Sequence, residues 1–97
     1  MFIIDLTITE TVDEQSAAEH LAAHRAWFSA HVESGDFILL GPRLDREKAG
    51  IIVARAASRE DLEKILSQDV YYPDGATYEV AEFKAASGVP EVAGLLE

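Results

Sequence analysis

The sequence predicts an α+β domain of the ferredoxin-like type, in which strands and helices follow one another as βαββαβ. Three observations predict this fold: four short runs of apolar and β-branched residues, two helical segments between them, and glycine or proline signals at the turns. The first and last runs alternate with a period of two, as half-buried strands do. Strands and helices in this order form a four-stranded antiparallel sheet with both helices on one face.

The first half of the chain contains a strand and a long helix. Every second side chain of residues 2–9 is apolar, which predicts a strand with one buried face. The alanine-rich segment that follows predicts a helix that begins near residues 13–16 and runs to about Ser34. Gly35 is suited to end this helix in a left-handed conformation.

The first helix is expected to pack on the sheet through one stripe of side chains. At 100° per residue, five residues lie within about 80° of one another: Ala17, Leu21, His24, Phe28 and Val32. Trp27 borders this stripe. His20 and His31 are interpreted as solvent-side residues.

The remaining elements follow in the order strand, strand, helix, strand: residues 37–40, 50–55, 58–68 and 77–83. A charged loop, residues 43–49, joins the two hairpin strands. Ser58 is placed to cap the second helix, with Asp61 three residues later. The tail after the last strand is expected to contain one short helical turn at most.

Charge and composition restrict the classes of function. The 97 residues contain 8 Lys and Arg against 18 Asp and Glu, a net charge of −10. Such a chain repels nucleic-acid phosphates and anionic lipids, so we expect neither a nucleic-acid nor a membrane partner. The absence of cysteine excludes disulfides and thiolate catalysis. The segment 1–10 has no basic region and no apolar run is long enough to span a bilayer, which predicts a cytoplasmic protein.

The hairpin strands predict an assembly. The runs FILL (37–40) and GIIVAR (50–55) have apolar residues at consecutive positions, so they place apolar side chains on both faces of the sheet. The helices cover only one face, and the other apolar face must also be covered. A second copy of the same sheet, packed face to face, is the simplest cover, so we expect a homodimer.

His24 is the main candidate for chemistry. It lies on the expected inward face of the first helix, where a buried imidazole needs a hydrogen-bond partner. Asp69 follows the second helix on the same face of the sheet, so its carboxylate can reach the ring. This pairing would fix the tautomer and raise the basicity of the other ring nitrogen, as a general base requires. The alternative is a core histidine bonded to a backbone carbonyl.

These residues and several turn signals also carry a family resemblance. Five features occur in order: His24, Gly35, the pair Gly41-Pro42, Gly50 and Asp69. With them the chain resembles the YciI-like (YCII-related) family of dimeric α+β-barrel proteins. The resemblance implies one domain over residues 1–97, with a core of 2–84 and a tail of 85–97, and a His–Asp active site at His24 and Asp69. Family members usually have proline after this aspartate, whereas Val70 stands here and the following aromatic residue, Tyr71, is kept.

Four further side chains are candidates for ligand binding: Phe28, Tyr71, Arg43 and Trp27. Arg43 and Arg25 are the candidates for an anionic ligand, although a charged loop such as 43–49 is often only solvated. Trp27 and Tyr71 could equally serve packing. His20 and His24 have the i,i+4 spacing of a shared metal site, but not the order of zinc proteases, so we expect no metal and no cofactor.

Two functions of different class follow from these residues. The first is a cofactor-independent enzyme of lyase, isomerase or hydrolase type, which uses His24 and Asp69 for acid–base chemistry on a small organic molecule. The second is a non-catalytic small-ligand-binding or assembly module with the same fold. A cleft that touches His24 favours the first or a ligand-binding protein, whereas a filled core favours the assembly module.

Overall fold

The fold follows the predicted order of elements, and a computed structural model describes every residue from Met1 to Glu97. The strands and helices are β1 (Phe2–Ile8), α1 (Glu14–Ser34), β2 (Phe37–Pro42), β3 (Ala49–Ala54), α2 (Arg59–Leu66) and β4 (Ala76–Glu82). A 3₁₀-helix, Pro90–Leu95, lies in the tail. The strands form one antiparallel sheet in the order β2-β3-β1-β4. The ferredoxin-like prediction is therefore confirmed. Neither helix is long and apolar enough to cross a membrane.

Both helices begin and end where their capping residues allow. The Asp13 carboxylate accepts from the Ser16 N–H at 2.8 Å and closes the first turn of α1. Gly35 ends α1 with φ = 87°, a left-handed conformation that glycine adopts without strain. The Ser58 hydroxyl accepts from the Asp61 N–H at 3.1 Å, so the predicted cap of α2 is present.

The sheet separates the core from an uncovered face. Alternate residues of β1 point to the helices, and β1 pairs with both β3 and β4 in the centre of the sheet. The buried cluster has members on both helices and all four strands: Phe2, Ile4, Leu6, Trp27, Phe37, Ile52, Ala54, Leu62, Leu66, Tyr71 and Ala76. Ile52 is 5% exposed and faces the helices. Its neighbours Ile51 and Val53 therefore lie on the face that no helix covers.

The inward face of α1 differs from the predicted stripe. Ala17 and Val32 are exposed, whereas Trp27 is buried. The side chains that turn inward are His20, His24, Trp27 and His31, so the buried face is rotated by about 70° from the apolar stripe. The three histidines can lie inward because each Nδ1 meets a carboxylate, from Glu10, Asp69 and Asp36 respectively.

Candidate active site

His24 and Asp69 are in direct contact. The Asp69 Oδ1 lies 2.7 Å from His24 Nδ1, and the Asp69 side chain has no exposed surface. A carboxylate can only accept, so Nδ1 is the donor in this contact, and in the neutral form of the ring the lone pair then lies on Nε2. Nε2 has no hydrogen-bond partner in the chain and is not among the buried unpaired atoms, so it reaches solvent.

Two local structures hold the pair in place. His24 lies in the middle of the 21-residue helix α1, away from the ends, where helices fray. Asp69 lies in the turn after α2, where its N–H donates to the Leu66 carbonyl at 3.1 Å and its carbonyl accepts from the Tyr72 N–H at 3.0 Å. The contact therefore joins the two helices across 45 residues of sequence.

A tyrosine on the sheet completes the cluster. The Tyr78 hydroxyl, on β4, donates to Asp69 Oδ2 at 2.7 Å, so both carboxylate oxygens accept a hydrogen bond. Burial raises the pKa of Tyr78 far above its usual range, and the hydrogen bond to Asp69 raises it further. The phenol therefore remains protonated and keeps donating. Tyr78 was not predicted from the sequence; its inward position in the alternation of β4 is the one signal that could have indicated it.

Aromatic rings surround the His24 imidazole. Trp27 stacks on it at 5.4 Å between ring centroids, Phe28 meets it edge-on at 5.5 Å, and Tyr71 lies at 5.0 Å. Burial raises the pKa of Tyr71, and the charges of Glu10 and Asp69 act in the same direction. The ring is thus held on several sides, which leaves Nε2 as its accessible atom.

A cavity of about 790 Å³ opens beside His24, between α1 and the β2–β3 hairpin. Its wall on the helix side consists of Leu21, His24, Arg25 and Phe28. The opposite wall consists of the hairpin strands and the charged loop between them, residues 40–52. This volume is in the range of small-molecule sites, and its wall combines apolar side chains with a few polar groups.

The four predicted ligand-binding residues lie in two different places. Phe28 and Arg43 are in the cavity wall, whereas Trp27 and Tyr71 are not. Trp27 is 7% exposed, packs in the core and donates its indole N–H to the Ile65 carbonyl at 2.9 Å. Tyr71 is 4% exposed and supports the imidazole from the core side. Both side chains therefore pack in the core, which the sequence analysis gave as the alternative to ligand binding.

Arg43 lies in the cavity wall but its charge is already paired. Nε and Nη2 donate to the two oxygens of Asp45 at 3.0 Å each, and Nη1 donates to Asp5 at 3.1 Å. These carboxylates raise the pKa of Arg43, and Arg43 in turn lowers the pKa of Asp45. The guanidinium therefore fixes the hairpin loop and has little capacity left for a ligand.

Of the other two histidines, His31 turns inward, contrary to the prediction, whereas His20 is partly exposed. His31 is bonded to Asp36 through Nδ1 and to Gln68 through Nε2, both at 2.9 Å. Hydrogen bonding to His31 lowers the pKa of Asp36. His20 meets Glu10 at 2.6 Å and is one-third exposed. The structure brings together no group of three His, Asp or Glu side chains that could hold a metal ion.

The sequence matches the model of the YCII-related domain over residues 1–84, which include the whole sheet, both helices and the His24–Asp69 contact. The chain belongs to the YCII-related family. This confirms the family that the sequence features indicated. A comparison with curated proteins gives no match.

This YCII-related chain also resembles a solved structure. The crystal structure of a muconolactone isomerase superposes with a TM-score of 0.75, over 86% of each chain, at 22% sequence identity. At this level of identity the likeness concerns the fold. It supports the α+β architecture that the strand order already defines.

Proposed function

We propose that this protein is an enzyme in which His24 and Asp69 perform acid–base chemistry on a small organic molecule bound beside α1. The observation that carries the proposal is the state of the imidazole. Nδ1 is held by a fully buried carboxylate, Nε2 has no partner in the chain, and His24 lines the cavity. A general base needs an unbonded nitrogen beside a substrate cavity, and His24 meets this requirement, whereas a histidine in plain core packing does not require it.

The reaction we propose is a proton transfer between two carbons of one substrate. Nε2 takes a proton from a carbon next to a carbonyl group, which leaves an enolate and an imidazolium. The Asp69 carboxylate stabilises the imidazolium through the Nδ1 hydrogen bond without itself taking the proton. Nε2 then returns the proton to another carbon, so the product is an isomer of the substrate and no cofactor is consumed.

The comparison supports this class of reaction without defining the substrate. The fold neighbour is a muconolactone isomerase with a similar arrangement of sheet and helices. We therefore place isomerisation before hydrolysis or elimination for this chain. The aromatic rings around His24 shield most of the imidazole, whereas Nε2 reaches solvent, so a proton held on Nε2 can exchange with water before it is returned.

We also propose that the protein works as a homodimer, joined through the uncovered sheet face. On that face Leu39 is 68% exposed and Ile3 is 38% exposed, and Ile51 and Val53 lie between them on β3. An apolar face of this kind, on a sheet that already has helices on its other side, fits a second copy of the same sheet.

The experiment that tests the enzymatic proposal follows proton exchange with solvent. The protein is incubated in D₂O with a panel of small ketones and unsaturated lactones, and NMR measures the loss of protons next to the carbonyl. We expect exchange with the wild-type protein, and a decrease of about 10²-fold or more in His24→Ala. His20→Ala is the matched control, because His20 lies one turn away with its own carboxylate partner and should leave the rate unchanged.

Two outcomes would contradict the proposal. The first is exchange at equal rates in wild type and His24→Ala. The second is binding of panel compounds beside His24 with no exchange of any of them, which would instead support a non-catalytic ligand-binding module.

A further inference from the structure

The charges around the cavity are the reverse of those on the rest of the molecule. The chain contains eight basic residues, and four of them line this one cavity: Arg25, Arg43, Arg46 and Lys48. Only two of its eighteen acidic residues, Asp45 and Glu47, are in the same wall. The wall therefore carries a net charge of +2, whereas the rest of the chain carries −12. Such a local reversal attracts anions to one place on an otherwise repelling surface.

Three of these cations are available to a ligand. Arg43 is paired with Asp5 and Asp45, but none of the ion pairs of the molecule includes Arg25, Arg46 or Lys48. Arg25 directly follows His24 in the helix. Arg46 and Lys48 come from the hairpin loop on the opposite wall. Unpaired cations thus lie on both walls of the cavity that His24 lines.

The backbone of Lys48 indicates that its position is built into the fold. Its φ of 55° makes it the one non-glycine residue with a left-handed backbone, a conformation that such residues rarely adopt. The conformation is held because the Lys48 carbonyl accepts the Ile8 N–H at 2.8 Å and the Arg43 N–H donates to Ala49 at 2.8 Å. These bonds fix the end of the hairpin loop against β1 and place Lys48 in the cavity wall.

The rest of the wall selects the kind of anion. Its apolar residues, among them Leu21, Phe28, Leu40 and Ile52, favour a ligand with a compact apolar body. No helix begins at the cavity, and its helical wall lies in the interior of α1, where the backbone N–H groups are already bonded. The site therefore lacks a helix N-terminus, the backbone structure that most often binds phosphate. The donors that the wall does provide are the side chains of arginine and lysine, which bind a carboxylate through charge-assisted hydrogen bonds.

We propose that the substrate of the His24 site is a small organic carboxylate, with its apolar body beside Phe28 and its carboxylate held by Arg25 and Lys48. The inference rests on the proposed function of the same cavity and deepens it. The bound carboxylate fixes the orientation of the substrate in the cavity. The carbon that loses its proton then lies at the His24 Nε2.

The test compares uncharged and charged ligands of equal shape. Cyclohexanecarboxylate and benzoate are titrated against cyclohexanecarboxamide and benzamide, and NMR follows the His24 and Phe28 rings together with the dissociation constants. We expect the carboxylates to bind about tenfold more tightly than the amides, and this preference to weaken between about 20 and about 200 mM salt.

Charge variants identify the residues responsible. Arg25→Gln and Lys48→Gln should each remove a large part of the carboxylate preference, about threefold or more, and leave amide binding unchanged. Arg59→Gln and Lys84→Gln are the matched controls, because each removes one positive charge outside the cavity wall. They should leave the preference unchanged, so a decrease in all four variants would show a net-charge effect and overturn the inference.

The outcomes separate this inference from the proposed function. Amides that bind as tightly as carboxylates, or carboxylates that do not bind, would overturn the substrate class while proton exchange by His24 could still be observed. Carboxylates that bind through Arg25 and Lys48 in a protein without any proton exchange would support the substrate class and overturn the enzymatic role.

Discussion

Tyr78→Phe should destabilise the protein, because the Tyr78 hydroxyl bonds a buried carboxylate. The substitution removes one hydroxyl, which donates to the buried Asp69 carboxylate at 2.7 Å, and leaves the ring in place. A hydrogen bond to a charged group contributes about 1.5–3 kcal/mol. We therefore expect the free energy of unfolding to fall by about 2 kcal/mol, which corresponds to a decrease in Tm of about 8–16 °C for a domain of this size.

The same substitution should change how stability depends on pH. The pKa of Tyr78 is raised in the folded protein, so above pH ~10 the unfolded chain loses this proton while the folded protein keeps it. The unfolded state then binds fewer protons, and stability falls as pH rises, by about 1.4 kcal/mol per pH unit for this one group. Tyr78→Phe lacks this contribution. The difference in free energy of unfolding between wild type and variant should therefore be about 2 kcal/mol at pH 8 and decrease above pH 10.

The assay is urea unfolding at pH 8 and pH 11, followed by the fluorescence of the single tryptophan, Trp27, which is buried in the core. Protein concentrations are matched, because dimerisation would make the midpoint depend on concentration. Tyr72→Phe is the control, since its hydroxyl lies on the surface, 3.5 Å from Glu63, and should contribute little. A Tyr78→Phe variant as stable as Tyr72→Phe, or a stability difference that stays constant with pH, would refute this account of Asp69.

Two further predictions concern the pair and the sheet faces. Asp69→Asn should lose about 1–3 kcal/mol of stability, since it replaces two hydrogen bonds to a buried carboxylate by two weaker ones to a neutral amide, and urea unfolding would measure this; unchanged stability would contradict it. Ile51→Asp should convert a dimer to a folded monomer in light scattering, whereas Ile52→Asp should unfold the protein because Ile52 is 5% exposed in the core. A monomeric wild type, or a folded Ile52→Asp, would contradict these expectations.

The fold could be predicted because its signals are local. The alternation of β1 and β4, the Asp13 and Ser58 caps and the left-handed Gly35 each lie within a few residues of the boundary that they define. Strand ends differ from the predicted ones by one or two residues, as at β3, which begins at Ala49. The Ile52 side chain could not be assigned to a face beforehand, because consecutive apolar residues have no period that distinguishes the two faces.

The inward face of α1 could not be predicted from local signals. Hydrophobicity placed Val32 inward and His31 outward, but Val32 is 47% exposed, and His31 lies inward because Asp36 and Gln68 bond both of its ring nitrogens. Gln68 is 37 residues away in sequence. A polar residue becomes a core residue only when a partner arrives from elsewhere in the fold, and a helical pattern contains no information about that partner.

In the candidate site, too, some contacts could be predicted from the sequence and others could not. The contact between His24 and Asp69 was predicted from the packing of both helices on one face, and the two side chains do meet. Tyr78 was missed because its role depends on an oxygen of Asp69 that only the folded chain brings near it. The pairing of Arg43 was also missed, although Asp45, two residues later, was a local signal for it.

The proposed function requires that Asp69 keeps the proton of His24 on Nδ1 and leaves Nε2 free as a base. The most direct measurement is the ¹⁵N spectrum of the imidazole in slightly alkaline buffer, which distinguishes the two tautomers of the neutral ring. We expect the Nδ1–H form in the wild-type protein, and a shift to the Nε2–H form in Asp69→Asn, whose amide can donate to Nδ1. An Nε2–H tautomer in the wild-type protein, or the same tautomer in both proteins, would contradict it.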